Sequence, residues 1–157
     1  VDTRLHHLLC QILLKPVFHN DPPEIVVSFD STIIYAGHLS TDLELTIDQQ
    51  LPPGKYQLDV EFKNKNNTDT TASNDKAVII QQVSFNKIHS KKFAWAGVYQ
   101  PVYPEPWATE QRLNNIELKP QLTAHTYLGW NGKWTLTFSM PIFTWIHQTE
   151  NLGWIYS

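Results

Sequence analysis

The chain has 157 residues and a single cysteine, the size of one domain that buries a core without cross-links and too few thiols for a disulfide framework or a cysteine-rich zinc site. Its 12 Lys+Arg against 15 Asp+Glu leave a formal charge of −3, which excludes the strongly basic character that phosphate neutralisation on a nucleic acid requires. Aromatics at 12% beside only 17% charged residues are the reverse of a disordered composition.

The N-terminal segment, residues 1–23, places Leu5, Leu8, Leu9, Ile12 and Leu13 at helical spacing, and Pro16 ends any helix there. The same residues equally suit a strand or an extended arm laid on a neighbouring subunit, and helix and extended arm stand as the expectations. The run Leu8 to Leu14 is interrupted by Gln11. It is shorter than the roughly 18 apolar residues of a bilayer span, and a secretory reading lacks the small-residue cleavage site it needs.

From Glu24 the pattern changes to period two. Ile25, Val27 and Phe29 alternate with polar or smaller neighbours, as do Leu43, Leu45 and Ile47. Tyr56, Leu58, Val60 and Phe62 form the cleanest alternation, with Lys55, Gln57, Asp59 and Glu61 between them. Runs at 78–85, at 134–138 (Trp134, Leu136, Phe138) and at 142–146 complete six expected strands. Turn chemistry separates them, at Ala36-Gly37, Pro52-Pro53-Gly54, the polar loop 64–75, Gly129 to Gly132, and Pro141. Asn131-Gly132 suits a two-residue hairpin turn into the strand at 133–139. With no long helical pattern beyond residue 15, the expected fold is all-β: an antiparallel, jelly-roll-like β-sandwich over 24–157. Its rhythm breaks over about 95–125, where Pro101, Pro104 and Pro106 lie among Tyr99, Tyr103 and Trp107.

Candidate chemistry is sparse. The seven histidines form no HxH or HxxxH pair, against a zinc site. Cys10 sits in an apolar run and reads as an inert buried thiol. There is no G-x-S-x-G and no phosphate-cradling glycine loop. Glu105 and Glu110 are the nearest thing to a hydrolytic carboxylate pair; the reading is nonetheless non-enzymatic. The polar loop offers hard oxygens from Asp69, Asn74 and Asp75, with amide carbonyls from Asn66 and Asn67, a donor set that calcium uses. The same residues also suit a plain solvated hairpin connection. Trp95, Tyr99, Tyr103, Trp107 and Trp130 fall on loops or element ends and are candidates for stacking on the apolar faces of sugars; the competing reading makes them core or interface anchors. Trp134 and Trp145 lie in expected strands and read as core.

Two stretches resemble known families. Residues 24–88, read as EIVVSFDSTIIYAG, DLELTIDQQLPPGKYQLDVEFKNK, a polar loop and NDKAVIIQQVSFN, resemble small calcium-dependent, xylan-binding carbohydrate-binding β-sandwiches. Gly54, Tyr56, Leu58, Val60, Phe62, Asp75, Val78, Ile80 and Asn86 stand at the pattern positions. The resemblance implies a calcium-loop role for Asp75, with Asp69 and Asn74 beside it. Residues 128–154 resemble the ending of small virion-associated proteins of tailed phages, T4-like marine ones especially. There Gly129, Trp130, Asn131, Gly132, Trp134, Leu136, Phe138, Pro141, Ile142, Phe143 and Trp145 match.

Together these readings lead to the expectation of a structural or accessory component of a phage virion, tail or capsid, built on a carbohydrate-binding-module-like sandwich and contributing to host-surface attachment. The alternative is a secreted, calcium-dependent carbohydrate-binding module. Expected partners are other virion proteins, copies of itself and a surface glycan, with neither nucleic acid nor membrane. Leu5, Leu9, Ile12 and Leu13 are the expected contacts to a neighbour, since four apolar side chains removed from water at about 25 cal/mol per Å² contribute several kcal/mol.

Overall fold

A computed structural model describes residues 4–66 and 74–150. In chain order the elements are β1 (His6–Val17), β2 (Glu24–Phe29), β3 (Thr32–His38), β4 (Leu43–Leu51), β5 (Gly54–Phe62), β6 (Ala77–Phe85) and β7 (Ile88–His89). Then come α1 (Lys91–Trp95), β8 (Val98–Pro101), α2 (Trp107–Leu113), β9 (Leu122–Thr123), β10 (Tyr127–Leu128), β11 (Gly132–Met140) and α3 (Ile142–Thr149). All pairings are antiparallel. One sheet runs β10-β6-β1-β4, with β7 also on β6; the other runs β3-β2-β5-β11-β8-β9.

The two sheets bury their apolar faces against each other, as the period-two runs require. Leu58, Val60 and Phe62 of β5, Trp134, Leu136 and Phe138 of β11, and Val83 and Phe85 of β6 belong to one buried cluster. Across the interlayer, the ring of Phe85 lies 5.0 Å from that of Phe138. The fold is thus the antiparallel β-sandwich that the alternation implies.

Four details differ from the sequence reading. The N-terminal segment is not the expected helix or free arm but a strand, the form its residues also suit: β1 pairs with β4 on one side and β6 on the other. Leu8, Cys10, Ile12 and Leu14 are each fully buried, which is period two once Cys10 and Leu14 are counted as apolar. Ile12 is therefore core and unavailable to a neighbour; Leu9 and Leu13 lie half-buried on the outer face of the sheet, and Leu5 is exposed. Burial also pushes the Cys10 thiol up to about 12, which leaves it inert.

Second, residues 142–149 are helix α3, not a strand. Ile142 and Ile146, one helical turn apart, face the core, and Trp145 packs edge-on against Phe85 at 5.2 Å. Third, Asn131-Gly132 makes no hairpin, because β10 belongs to one sheet and β11 to the other. Gly132 has φ +150, and a Cβ there would stand 2.3 Å from the Gln100 carbonyl oxygen, so glycine is required by both conformation and space. Fourth, the polar segment after β5 likewise passes between sheets and is not a hairpin connection.

Candidate functional site

Both of these inter-sheet crossings arrive at the same end of the sandwich. At the exit of β5, the Asn131 side chain clasps the Lys65 backbone: Lys65 N–H donates to Asn131 Oδ1 at 2.7 Å, and Asn131 Nδ2 donates to the Lys65 carbonyl at 3.0 Å. Asn64 fixes the start of the crossing in the same way. It accepts from Glu24 N–H at 2.7 Å and donates to the Pro22 carbonyl at 3.1 Å. A backbone whose polar groups are satisfied by side chains holds its shape outside a sheet.

The proline-rich excursion closes over this end. Val102 N–H donates to the Asn131 carbonyl at 2.6 Å, which ties the exit of β8 to the crossing. Pro106 precedes α2, and the Glu105 carboxylate accepts from Thr109 N–H at 3.0 Å and from the Thr109 hydroxyl, satisfying a free donor of the first turn. That commitment gives Glu105 a structural role and weakens its reading as half of a hydrolytic pair.

Between the crossing, the excursion and β10 lies an open groove of about 620 Å³. Its aromatic wall is formed by Trp107 and Trp130, with Tyr103 behind them. The ring centroids of Trp107 and Trp130 are 6.0 Å apart, those of Tyr103 and Trp130 are 5.1 Å, and those of Tyr103 and Trp107 are 6.2 Å. Trp107 and Trp130 are half-buried, so each keeps ring surface exposed. Its polar wall carries Lys65, Asn66, Asp75, Glu110, His125 and Tyr127. Lys65 Nζ forms an ion pair with Asp75, and the Tyr127 hydroxyl donates to the other Asp75 oxygen at 2.5 Å. Burial, and then the neighbouring Asp75 carboxylate, hold the Tyr127 phenol protonated well above its ordinary value.

Of the five aromatic candidates, the structure thus brings Tyr103, Trp107 and Trp130 together. Tyr99 is fully buried beneath them. Its hydroxyl donates to the Trp130 carbonyl and accepts from Trp130 N–H at 3.0 Å, and its ring stacks on His125 at 5.6 Å. Burial pushes this phenol above the ordinary tyrosine range. Tyr99 positions the groove without lining it. Trp95 lies on α1, 47% exposed and away from the cluster.

Of the three candidate calcium ligands, Asp69 lies outside the described residues, while Asn74 and Asp75 are half-buried. The Asp75 carboxylate already accepts from Lys65 Nζ, Lys76 N–H and Tyr127. An ammonium seated on the only described carboxylate of the set does not fit a calcium site, which needs six to eight oxygens. Among the described residues no group of three His, Cys, Asp or Glu side chains is placed to hold a metal.

Lys65, His125 and Tyr127 escape the sequence reading, and Asn131 enters it as a turn residue and not as part of a site. Lys65 and Asn131 are 66 positions apart, and Asp75 and Tyr127 are 52 apart; nothing local in the sequence joins them.

No protein-family model matches the chain, and no curated protein matches it. Among solved structures, a protein described as vCBM60 in complex with galactobiose is similar at 12% identity and a TM-score of 0.49, over 82% of this chain and 96% of that one.

Proposed function

We propose that this chain is a carbohydrate-binding β-sandwich whose groove takes a glycan against Trp107 and Trp130. The observation that carries the reading is the aromatic cluster itself: two indole rings, backed by Tyr103, line an open groove whose facing wall holds hydrogen-bonding groups of both kinds. A pyranose has the matching duality. Its C–H face is apolar and leaves water favourably on an indole face. Its hydroxyls pair with the Glu110 carboxylate, the His125 ring and the Lys65–Asp75 pair on the other wall.

At about 0.3 kcal/mol per non-hydrogen atom, a disaccharide gains several kcal/mol, which places Kd at roughly 10 μM to 1 mM. Isothermal titration of the full chain with galactose- and xylose-based oligosaccharides tests this. Wild type binds at least one series in that range. Trp107→Ala and Trp130→Ala each weaken it by about 10-fold or more, as truncation of an aromatic anchor does. No heat with either series, or full affinity in both variants, overturns the reading.

The setting proposed for this activity is the surface of a phage particle, where glycan binding serves host attachment; residues 128–154 support it by their resemblance to virion-associated proteins. Mass spectrometry of purified particles tests the setting. Absence of the chain there favours the secreted alternative.

A further inference from the structure

The outer face of the β3-to-β9 sheet holds a second, smaller cavity of about 370 Å³. Gln57, Thr135, Thr137 and Gln100 line its floor from β5, β11 and β8, with Gln121 at its edge. Register explains the grouping: Gln57 pairs with Thr137, Asp59 with Thr135, and Thr135 with Val98, so these residues share one face. No lining residue carries a charge.

Beneath this floor sits an unusual residue for an outer sheet face. Asp59 is only 7% exposed and has no ion-pair partner among the described residues. Its carboxylate is satisfied instead by Gln57 Nε2, at 3.0 and 3.1 Å to the two oxygens, and by the Thr135 hydroxyl at 2.6 Å. These bonds decide what the cavity offers. With its amide N–H₂ drawn onto Asp59, Gln57 turns its carbonyl oxygen elsewhere. With its single proton spent, Thr135 has only lone pairs left. The buried carboxylate fixes the orientation of both side chains: Thr135 is left an acceptor, while Gln57 keeps its carbonyl oxygen and one N–H, in a cavity that otherwise holds neutral amides and hydroxyls. Such a floor, with donors and acceptors but no cation, suits a neutral, hydroxyl-rich ligand.

This cavity is close to the groove. Gln100 lines the cavity and Val102 lines the groove, two residues further along the same strand and its exit, about 7 Å at the rise of an extended chain. We infer that the outer-face cavity is a further subsite, taking a later unit of the same glycan chain that the groove holds. This inference rests on the groove reading and deepens it: the ligand class becomes an extended, uncharged oligosaccharide, not a terminal sugar.

The test is calorimetric titration of the full chain with galactose- and xylose-based oligomers of one to six units, using wild type, Gln57→Ala and Gln121→Ala. Both substituted residues are exposed, and thermal melts confirm folding. The expected result is a rise in affinity of about 10-fold or more from dimer to tetramer in wild type. Either variant loses most of that rise while its dimer affinity stays at the wild-type value. Equal dimer and tetramer affinity in wild type, or a rise that both variants keep, overturns the subsite and leaves the groove reading standing. Absence of binding at every length overturns the groove reading, and the subsite with it.

Discussion

Tyr99 presents no surface to the groove, yet it determines where Trp130 stands. Its hydroxyl satisfies both the carbonyl and the N–H of Trp130, polar groups that would otherwise lie unpaired beside a fully buried ring. Tyr99→Phe leaves them unsatisfied, at a cost of about 1–3 kcal/mol, or a melting temperature lower by about 2–12 °C for a chain of this size. The variant also binds oligosaccharide more weakly, because Trp130 loses its anchor. Trp107→Ala separates the two effects: it weakens binding with little loss of melting temperature, since Trp107 is half-exposed on the excursion. Calorimetry and thermal melts on both variants check the pair. Equal stability of Tyr99→Phe and wild type contradicts the anchoring role.

At the scale of elements, β1 is decisive. Its two faces carry different loads: Ile12 is fully buried between the layers, while Leu9 lies half-buried on the outer side. Asn86 seals the strand's start, accepting from Leu9 N–H at 2.6 Å and donating to the His7 carbonyl at 3.1 Å. Ile12→Ala is expected to cost about 2–5 kcal/mol, whereas Leu9→Ala costs about 1 kcal/mol or less. Chemical denaturation measures both, and equal small losses would mean that β1 is not the middle strand described. The helical reading of this segment followed from counting Leu5, Leu8, Leu9, Ile12 and Leu13. The buried set is Leu8, Cys10, Ile12 and Leu14; the difference lies in Leu14, outside the helical count, and in a thiol behaving as a hydrophobe. A short apolar run misleads in the other direction at α3, where Ile142, Phe143, Trp145 and Ile146 fit a strand or a helix equally well. Edge strand β3 escapes periodicity because both of its faces are open: Ile33 is 61% exposed and Ile34 36%.

Across the whole molecule, what was legible in the sequence and what was not have one cause. Strands with one dry and one wet face announce themselves by alternation, so β2, β4, β5, β6 and β11, and with them the sandwich, follow from the residues alone. The aromatic half of the groove was also legible, since Tyr103, Trp107 and Trp130 belong to segments that break the strand rhythm. Its polar half was not. Lys65, Asp75 and Tyr127 meet only because the chain changes sheets after β5 and again before β10, which pairs with β6, and sheet changes leave no local pattern. The same meeting bears on calcium. With the Lys65 ammonium on Asp75, EDTA is expected to leave both the melting temperature and oligosaccharide affinity unchanged. A fall of several degrees on chelation, reversed by added calcium, would show a bound ion stabilising the folded state.

Whether a glycan lies against Trp107 and Trp130 is read from the indole N–H spectrum of the ¹⁵N-labelled chain during titration with galactotetraose and xylotetraose. The Trp107 and Trp130 signals are expected to shift saturably, with those of buried Trp134 and of Trp95 on α1 at rest. Silence of Trp107 and Trp130 at millimolar oligosaccharide, or movement of Trp95 in their place, would contradict that placement of the glycan.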